Sequence, residues 1–300
     1  MTIPFIGPEA EAKLDWMALT RALAAGHDLP RAEVDDTFLY RGDDTILSRA
    51  AWIDGLGALV KTATIFPGNR ARGMPTIGGA VSLFSDTDGT LAAMLDFALV
   101  TKWKTAGDSL LAATRLARPD SRRVLIVGSG SVAASLHQAY FAAFPDASFA
   151  VWSRTEDSAR AFAETHGIDQ APDLAAAVPE ADIVTCATMA TAPVLRGEWL
   201  RPGQHVDLIG AYRPDMREAD DEALRRARLF VDARATTLDH IGELKIPLAD
   251  GIIARDDVVA DYYDGAAMRR GSDEEITMFK NGGGAHLDLM TARYILDAAG

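Results

Sequence analysis

The chain has 300 residues, 48% hydrophobic and 24% charged, with a formal net charge of -13. At roughly 150 residues per domain this means two domains or one large one, and the composition excludes a disordered, collagen-like or coiled-coil chain. The charge argues against binding nucleic acid or anionic membranes, and the lone cysteine, Cys186, forbids an intrachain disulfide. The N-terminal stretch has neither a basic region nor a continuous apolar one, and no apolar run approaches the ~20 residues of a membrane span. A cytoplasmic protein is expected.

Taken in order, residues 9–26 predict a helix, and strands follow at DTFLYR (36–41), TILSRAAW (45–52), ALVKTATIF (58–66) and AVSLFSD (80–86). Asp86-Thr-Asp-Gly89 has hairpin chemistry, since glycine supplies the positive φ, and Asp86 and Asp88 read as turn residues. A helix over 98–117 closes this part. The polar, proline-containing segment Ala117–Arg123 marks a boundary. Beyond it strands and helices alternate: RRVLIVG, a helix, SFAVWS, a helix, DIVTCAT, a short helix, HVDLIGA, a helix and RLFVDA. That alternation predicts a parallel sheet covered on both faces. KNGGGAHLDLMTARYILDAAG (280–300) reads as a glycine hinge feeding an amphipathic helix that packs back on the first part. The expectation is an α/β protein: a doubly wound domain over 118–284 and an α+β domain of 1–117 plus 285–300.

VLIVG runs into Gly128-Ser129-Gly130-Ser131-Val132-Ala133, a G-x-G-x-x-A pattern between a buried strand and a helix. Gly128 permits the tight turn, Gly130 lets backbone approach a pyrophosphate, and Ala133 allows close helix–strand packing, while the helix N-terminus holds the negative charge. This is the dinucleotide-binding Rossmann signature. An acidic residue about 20 positions on would bind the ribose hydroxyl of NAD. Here the next strand ends in Ser153-Arg154-Thr155, where Arg154 can pair with a 2′-phosphate, so NADPH is favoured and NADH remains possible.

Basic residues recur in the first part: Arg31, Arg49, Lys61, Lys102 and Lys104. Lys61 lies within an apolar β-run, so it either snorkels outward or meets an anion. A nucleotide domain beside such cations points to hydride transfer to or from a small carboxylate. The six scattered histidines suggest no metal site, and Ser129 sits in no G-x-S-x-G context.

VKTATIFPGN, LFSDTDGTLAAMLD, LVTKWKTAGDSLLAATRLA, RRVLIVGSGSVA, ADIVTCAT, HVDLIGAYRPDMREAD and MFKNGGGAHLD, in this order, resemble the ornithine cyclodeaminase/mu-crystallin family over nearly the whole chain. The resemblance implies a homodimer, with a substrate-binding and dimerising domain at the N-terminal part plus the last helix. It implies substrate-carboxylate contacts from Lys61, Lys104 and Arg31. Lys104 stands where relatives carry arginine and loses the bidentate fork, which Arg49 is in a position to replace. Cofactor contacts are completed by Thr188, Gly210 and Gly283, with Cys186 either lining the nicotinamide side or packing in its strand. His286 is either a proton donor or a satisfied helix histidine, and Asp288 complements the helix dipole.

True cyclodeaminases of the family carry an aspartate where this chain has Tyr212, whose phenol, with a pKa near 10, is a poor base but can donate a proton. The expected activity is therefore NAD(P)H-dependent reduction of a cyclic imino acid, foremost Δ1-pyrroline-2-carboxylate to L-proline, with the six-membered homologue as a second substrate. Lys61 and Tyr212 are the catalytic candidates. The alternatives are an open-chain imine reductase like the family's alanine dehydrogenases, an ornithine cyclodeaminase, and a non-enzymatic NADPH-dependent ligand binder.

Overall fold

The computed structural model describes residues 3–300, so Met1 and Thr2, the start of the stretch read for a leader, lie outside it. By internal contacts the chain divides into two compact units: the residues up to Lys104 with Gly283–Gly300, and Thr105–Gly282.

The first unit is built on a six-stranded sheet of β1 (Phe5–Ile6), β2 (Glu33–Arg41), β3 (Asp44–Ile53), β4 (Gly57–Ile65), β5 (Ile77–Phe84) and β6 (Leu91–Asp96). The strands lie in the order β1-β6-β5-β4-β3-β2, antiparallel except for β1 on β6. The expected single helix over 9–26 is two pieces, a 3-10 turn at Pro8–Lys13 and helix α1 (Trp16–His27). The break falls at Asp15, an extended N-cap whose carboxylate accepts from Ala18 N at 2.7 Å. Asp86 and Asp88 sit in the β5–β6 turn, where Gly89 has φ +68°.

Strand alternation sorts this sheet into two faces. Ala51, Leu59, Leu83 and Ala93 point inward and are buried, under the C-terminal helix Ala285–Ala299. That helix contributes the wholly buried Leu287, Leu289, Ala292 and Ile295. The opposite face carries Leu39, Ile46, Trp52 and Val60 exposed, with Leu39 63% and Trp52 56% accessible.

Helix α2 (Phe97–Leu116) matches its expected span, but the division between units falls inside it, earlier than position 117. From Thr105 onward its partners belong to the second unit. Ser109 Oγ donates to Asp207 at 3.0 Å, Tyr262 OH to the Asp108 carbonyl at 2.7 Å, and Thr277 Oγ1 to the Leu116 carbonyl at 3.0 Å.

The second unit is an eight-stranded, wholly parallel sheet of β7 (Arg123–Val127), β8 (Ser148–Trp152), β9 (Asp169–Gln170), β10 (Ile183–Cys186), β11 (His205–Leu208), β12 (Arg228–Val231), β13 (Val258–Ala260) and β14 (Thr277–Lys280). Its order, β13-β12-β14-β11-β10-β7-β8-β9, is doubly wound about β7. Helices α3 (Ser131–Ala143) and α4 (Glu156–His166) follow β7 and β8. The central strands are buried throughout, with Leu125, Val127, Val184, Cys186, Val206 and Leu208 in one core cluster. The reading of 280–300 as hinge and helix missed β14, whose Thr277 and Lys280 disguise a buried strand. Among the described residues no helix is long and apolar enough to cross a membrane.

Candidate active site

In the first unit the sheet register sets Asp36, Arg49 and Lys61 directly opposite one another on β2, β3 and β4. Like charges directly opposed across a ladder repel, and here each cation has its own carboxylate. Arg49 makes a two-pronged pair with Asp36, Nε to Oδ1 at 3.0 Å and Nη2 to Oδ2 at 2.9 Å. Lys61 Nζ donates to Asp288 Oδ1 of the C-terminal helix at 2.8 Å, with the Phe97 ring 4.8 Å away.

Both partners of the second pair are buried. Burial lowers the Lys61 pKa from 10.5 to about 8, Asp288 opposing and Lys104 and Arg49 adding to the fall. Burial pushes the Asp288 carboxyl up, but Lys61, Lys104 and Arg49 outweigh it and hold it below its ordinary value. Asp288 Oδ2 is buried with no hydrogen-bond partner among the described residues.

Arg49 and Lys104 meet on one atom, the carbonyl oxygen of Gly283. Arg49 Nη1 reaches it at 2.8 Å and buried Lys104 Nζ at 3.2 Å. Gly283 has φ +71°, the left-handed conformation that favours glycine. It belongs to the first unit, and its carbonyl holds the two cations. Arg31 is exposed just before β2 and close enough to be felt at His286. His286 is buried, and desolvation, then Lys104, push its pKa down to about 3, which favours the neutral imidazole. Lys102 pairs with Glu11, apart from this cluster.

In the second unit β7 runs into Gly128, which has φ +120° and where a Cβ would stand 2.5 Å from the Ala187 carbonyl. At Gly130 a Cβ would meet nothing within 4 Å, so the backbone there faces open space. Gly130 is also the N-cap of α3 and offers no side-chain cap, leaving the first amides of the helix for an incoming group. Ala133 is wholly buried against the sheet. Ser129 and Ser153 share a hydrogen bond of 3.1 Å, while Arg154 and Thr155 are exposed at the end of β8. An open glycine, an uncapped helix and an exposed arginine beyond the next strand fit a dinucleotide with its pyrophosphate on the loop.

Cys186 departs from the cofactor-lining expectation: its side chain is wholly buried in the sheet core, and burial holds the thiol neutral. Gly210 is required by internal packing, since a Cβ there would come 2.1 Å from the Thr188 carbonyl. Tyr212 is 55% accessible, with the Arg213 guanidinium 5.8 Å from its ring centre.

The sequence pattern of the ornithine cyclodeaminase/mu-crystallin family matches residues 53–300. The chain belongs to this family. A Delta(1)-pyrroline-2-carboxylate reductase of Paracoccus denitrificans (strain Pd 1222) is 53% identical over 296 residues, covering 96% of this chain and 94% of its own. Among solved structures, the Thermococcus litoralis Delta(1)-pyrroline-2-carboxylate reductase in complex with NADH and L-proline shares the fold, with a TM-score of 0.89 at 24% identity over 99% of this chain and 97% of its own. An archaeal alanine dehydrogenase dimer with bound NAD gives a TM-score of 0.89 at 26% identity, over 100% and 96%.

Two buried carboxylates in this member of the family escaped the sequence reading. Asp288 looked like a complement to a helix dipole, and only a buried lysine on a distant strand gives it another meaning. Glu218, in DMREAD, is wholly buried; burial, then Glu243, raise its pKa to about 8, against Lys280 and the donors of Thr188.

Proposed function

We propose that this chain is an NAD(P)H-dependent imine reductase that converts Δ1-pyrroline-2-carboxylate to L-proline and accepts the six-membered homologue. The observation that carries the reading is the buried Lys61–Asp288 pair flanked by Lys104 and Arg49. Family membership and the 53% identity to the Paracoccus reductase support the same substrate class.

The first unit performs two tasks. Lys104 and Arg49, with Arg31 nearby, supply positive charge for the substrate carboxylate. Lys61 supplies the proton: with a pKa of about 8 it is charged at neutral pH yet releases a proton more readily than an ordinary lysine. Asp288 keeps it oriented and charged. Addition to a C=N bond needs one proton on nitrogen and one hydride on carbon. When bound, the reduced nicotinamide supplies the hydride. The second unit holds that dinucleotide through the Gly128–Ala133 loop and the start of α3, and Arg154 favours NADPH over NADH. Tyr212, standing in place of the cyclodeaminase aspartate, sets aside ornithine cyclodeamination.

The apolar outer face of the first unit's sheet, with Leu39, Ile46, Trp52 and Val60 exposed, is a surface for a second copy of the chain. Sedimentation should give twice the 32.1 kDa chain mass, and a monomer at micromolar concentration would contradict it.

The function is tested by mixing purified protein with Δ1-pyrroline-2-carboxylate and following NADPH consumption, with NADH in parallel. Faster oxidation of NADPH upholds both assignments, and preference for NADH overturns the cofactor choice alone. Nucleotide binding without oxidation, while pyruvate plus ammonia is turned over, would overturn the cyclic substrate.

A further inference from the structure

The loops after β10 and β11, neighbouring strands of the parallel sheet, converge on one side chain. Glu218 Oε1 accepts from Thr188 N at 2.7 Å and Thr188 Oγ1 at 2.8 Å. Its Oε2 accepts from Gly210 N at 2.6 Å and Ala211 N at 3.3 Å. The carboxyl group thus binds three backbone amides and a hydroxyl from two loops that also meet through main-chain bonds, Gly210 N to the Cys186 carbonyl and Arg217 N to the Ala190 carbonyl, both at 3.2 Å.

Glu218 is itself held. Its backbone N–H donates to Glu243 Oε2 at 2.7 Å, and the next amide, Ala219, donates to Glu243 Oε1 at 3.0 Å. Its carbonyl accepts from Val194 and Leu195, both at 2.9 Å. On the adjoining β14, buried Lys280 donates to the carbonyls of Leu208 and Asn281, and its charge offsets Glu218 and Glu243. The turn that follows Gly210 is pinned as well: Ala211 packs with Met216 and Ile241, and Gly242 N donates to the Arg213 carbonyl at 3.0 Å. Tyr212, between these anchors, is left pointing outward.

A carboxyl group buried this deeply is an expensive way to tie two loops if packing were the only need, because apolar contacts would do it without desolvating polar groups. What it provides is a fixed position for backbone at the carboxyl ends of β10 and β11. In doubly wound sheets that edge receives the ligand. The Gly128–Ala133 loop and Arg154 serve the pyrophosphate and the adenosine ribose, which leaves the Thr188 and Gly210–Tyr212 segments for the other end of the dinucleotide.

We infer that Glu218 is a positioning residue for the nicotinamide half of the cofactor, acting through the Thr188 and Gly210–Ala211 backbone it holds. The inference rests on the reading of the second unit as a dinucleotide site. Glu218→Gln keeps the volume but turns an NH2 group toward donors, so at least one of the four loses its acceptor and the loops relax. The test compares the full-length variant and parent in binding two ligands by calorimetry: the reduced dinucleotide, and its adenosine half alone (2′,5′-ADP, or ADP if NADH is preferred). The variant should bind the adenosine half within twofold of the parent and the reduced dinucleotide about tenfold more weakly. In turnover with 4-deuterated coenzyme, its primary isotope effect should rise as the transfer step becomes slower.

Equal weakening of both ligands, or of neither, would overturn the inference and leave Glu218 a structural residue. Should Glu218→Gln fail to fold, Glu243→Gln decides the matter: it keeps the Glu218 carboxylate but loosens its backbone, and should shift the same affinity ratio by a smaller factor, no shift refuting the assignment. A parent chain that binds neither ligand would remove the dinucleotide reading, and this inference with it.

Discussion

Replacing Asp288 by asparagine tests the assignment of Lys61 as proton source. Burial already moves the Lys61 pKa from 10.5 to about 8, a cost of about 3 kcal/mol for keeping it charged with its partner present. At pH 7 the charged form is then favoured by only about 1.4 kcal/mol, or tenfold. Removing one partner of a buried ion pair costs about 3–5 kcal/mol, which exceeds that margin, so Lys61 in Asp288→Asn should shed its proton instead of bearing the loss. The assay is kcat/KM for Δ1-pyrroline-2-carboxylate from pH 6 to 10. The parent should lose activity above about pH 8, and the variant should be at least about tenfold slower at pH 7, its alkaline limb moved below 7. Ionisation of the substrate is common to both enzymes and cancels in the comparison. Nor can unfolding through this group imitate the limb: a lysine with a depressed folded pKa adds stability as pH rises from 8 toward 10.5, because the buried charge disappears. A variant with kcat/KM within twofold of the parent and an unmoved limb would refute the role of Lys61.

Two glycines of the nucleotide loop should respond in opposite ways. Gly130→Ala should leave the melting temperature unchanged and weaken coenzyme binding, whereas Gly128→Ala, strained at φ +120° and against the Ala187 carbonyl, should destabilise the fold; equal melting temperatures for both would contradict the geometry. Asp207, buried under Ser109, Tyr140 and Thr185, has its pKa raised by desolvation from 3.8 to about 6, so it costs about 3 kcal/mol of stability as pH rises through 6. Denaturation of parent and Asp207→Asn between pH 4 and 7 should show the parent losing ground relative to the variant, and parallel curves would speak against it. Arg154→Ala should raise KM for NADPH about tenfold and spare that for NADH, and an equal change in both would remove the 2′-phosphate contact.

Legibility in the sequence followed the distance over which each feature is encoded. The turn from β7 into α3 is local, and its glycines, Ala133 and the flanking apolar strand announce it within a dozen or so positions. Lys61 was conspicuous because a charge interrupts an apolar alternation. Its counter-ion was not, since Asp288 is 227 residues away and its helix position has an innocent explanation. Cys186 stayed undecided and β14 was missed for the same reason in reverse: side chains of ambiguous character sit in strands whose burial is decided by neighbours far off in the chain. Glu218 needed the knowledge that β10 and β11 lie side by side.

The C-terminal helix has a bearing on the order in which the protein can be made. A chain emerging from the ribosome exposes the six strands of the first unit well before Ala285–Ala299, and folds the intervening Thr105–Gly282 in between. Until Ala285–Ala299 is released, the inner face of that sheet lacks its helix and Lys61 lacks Asp288. The nascent first unit is therefore an open apolar sheet for most of synthesis. The chain's sensitivity to chaperone supply should track this interval, and loss of the final helix should impair the first unit while leaving the parallel sheet able to fold.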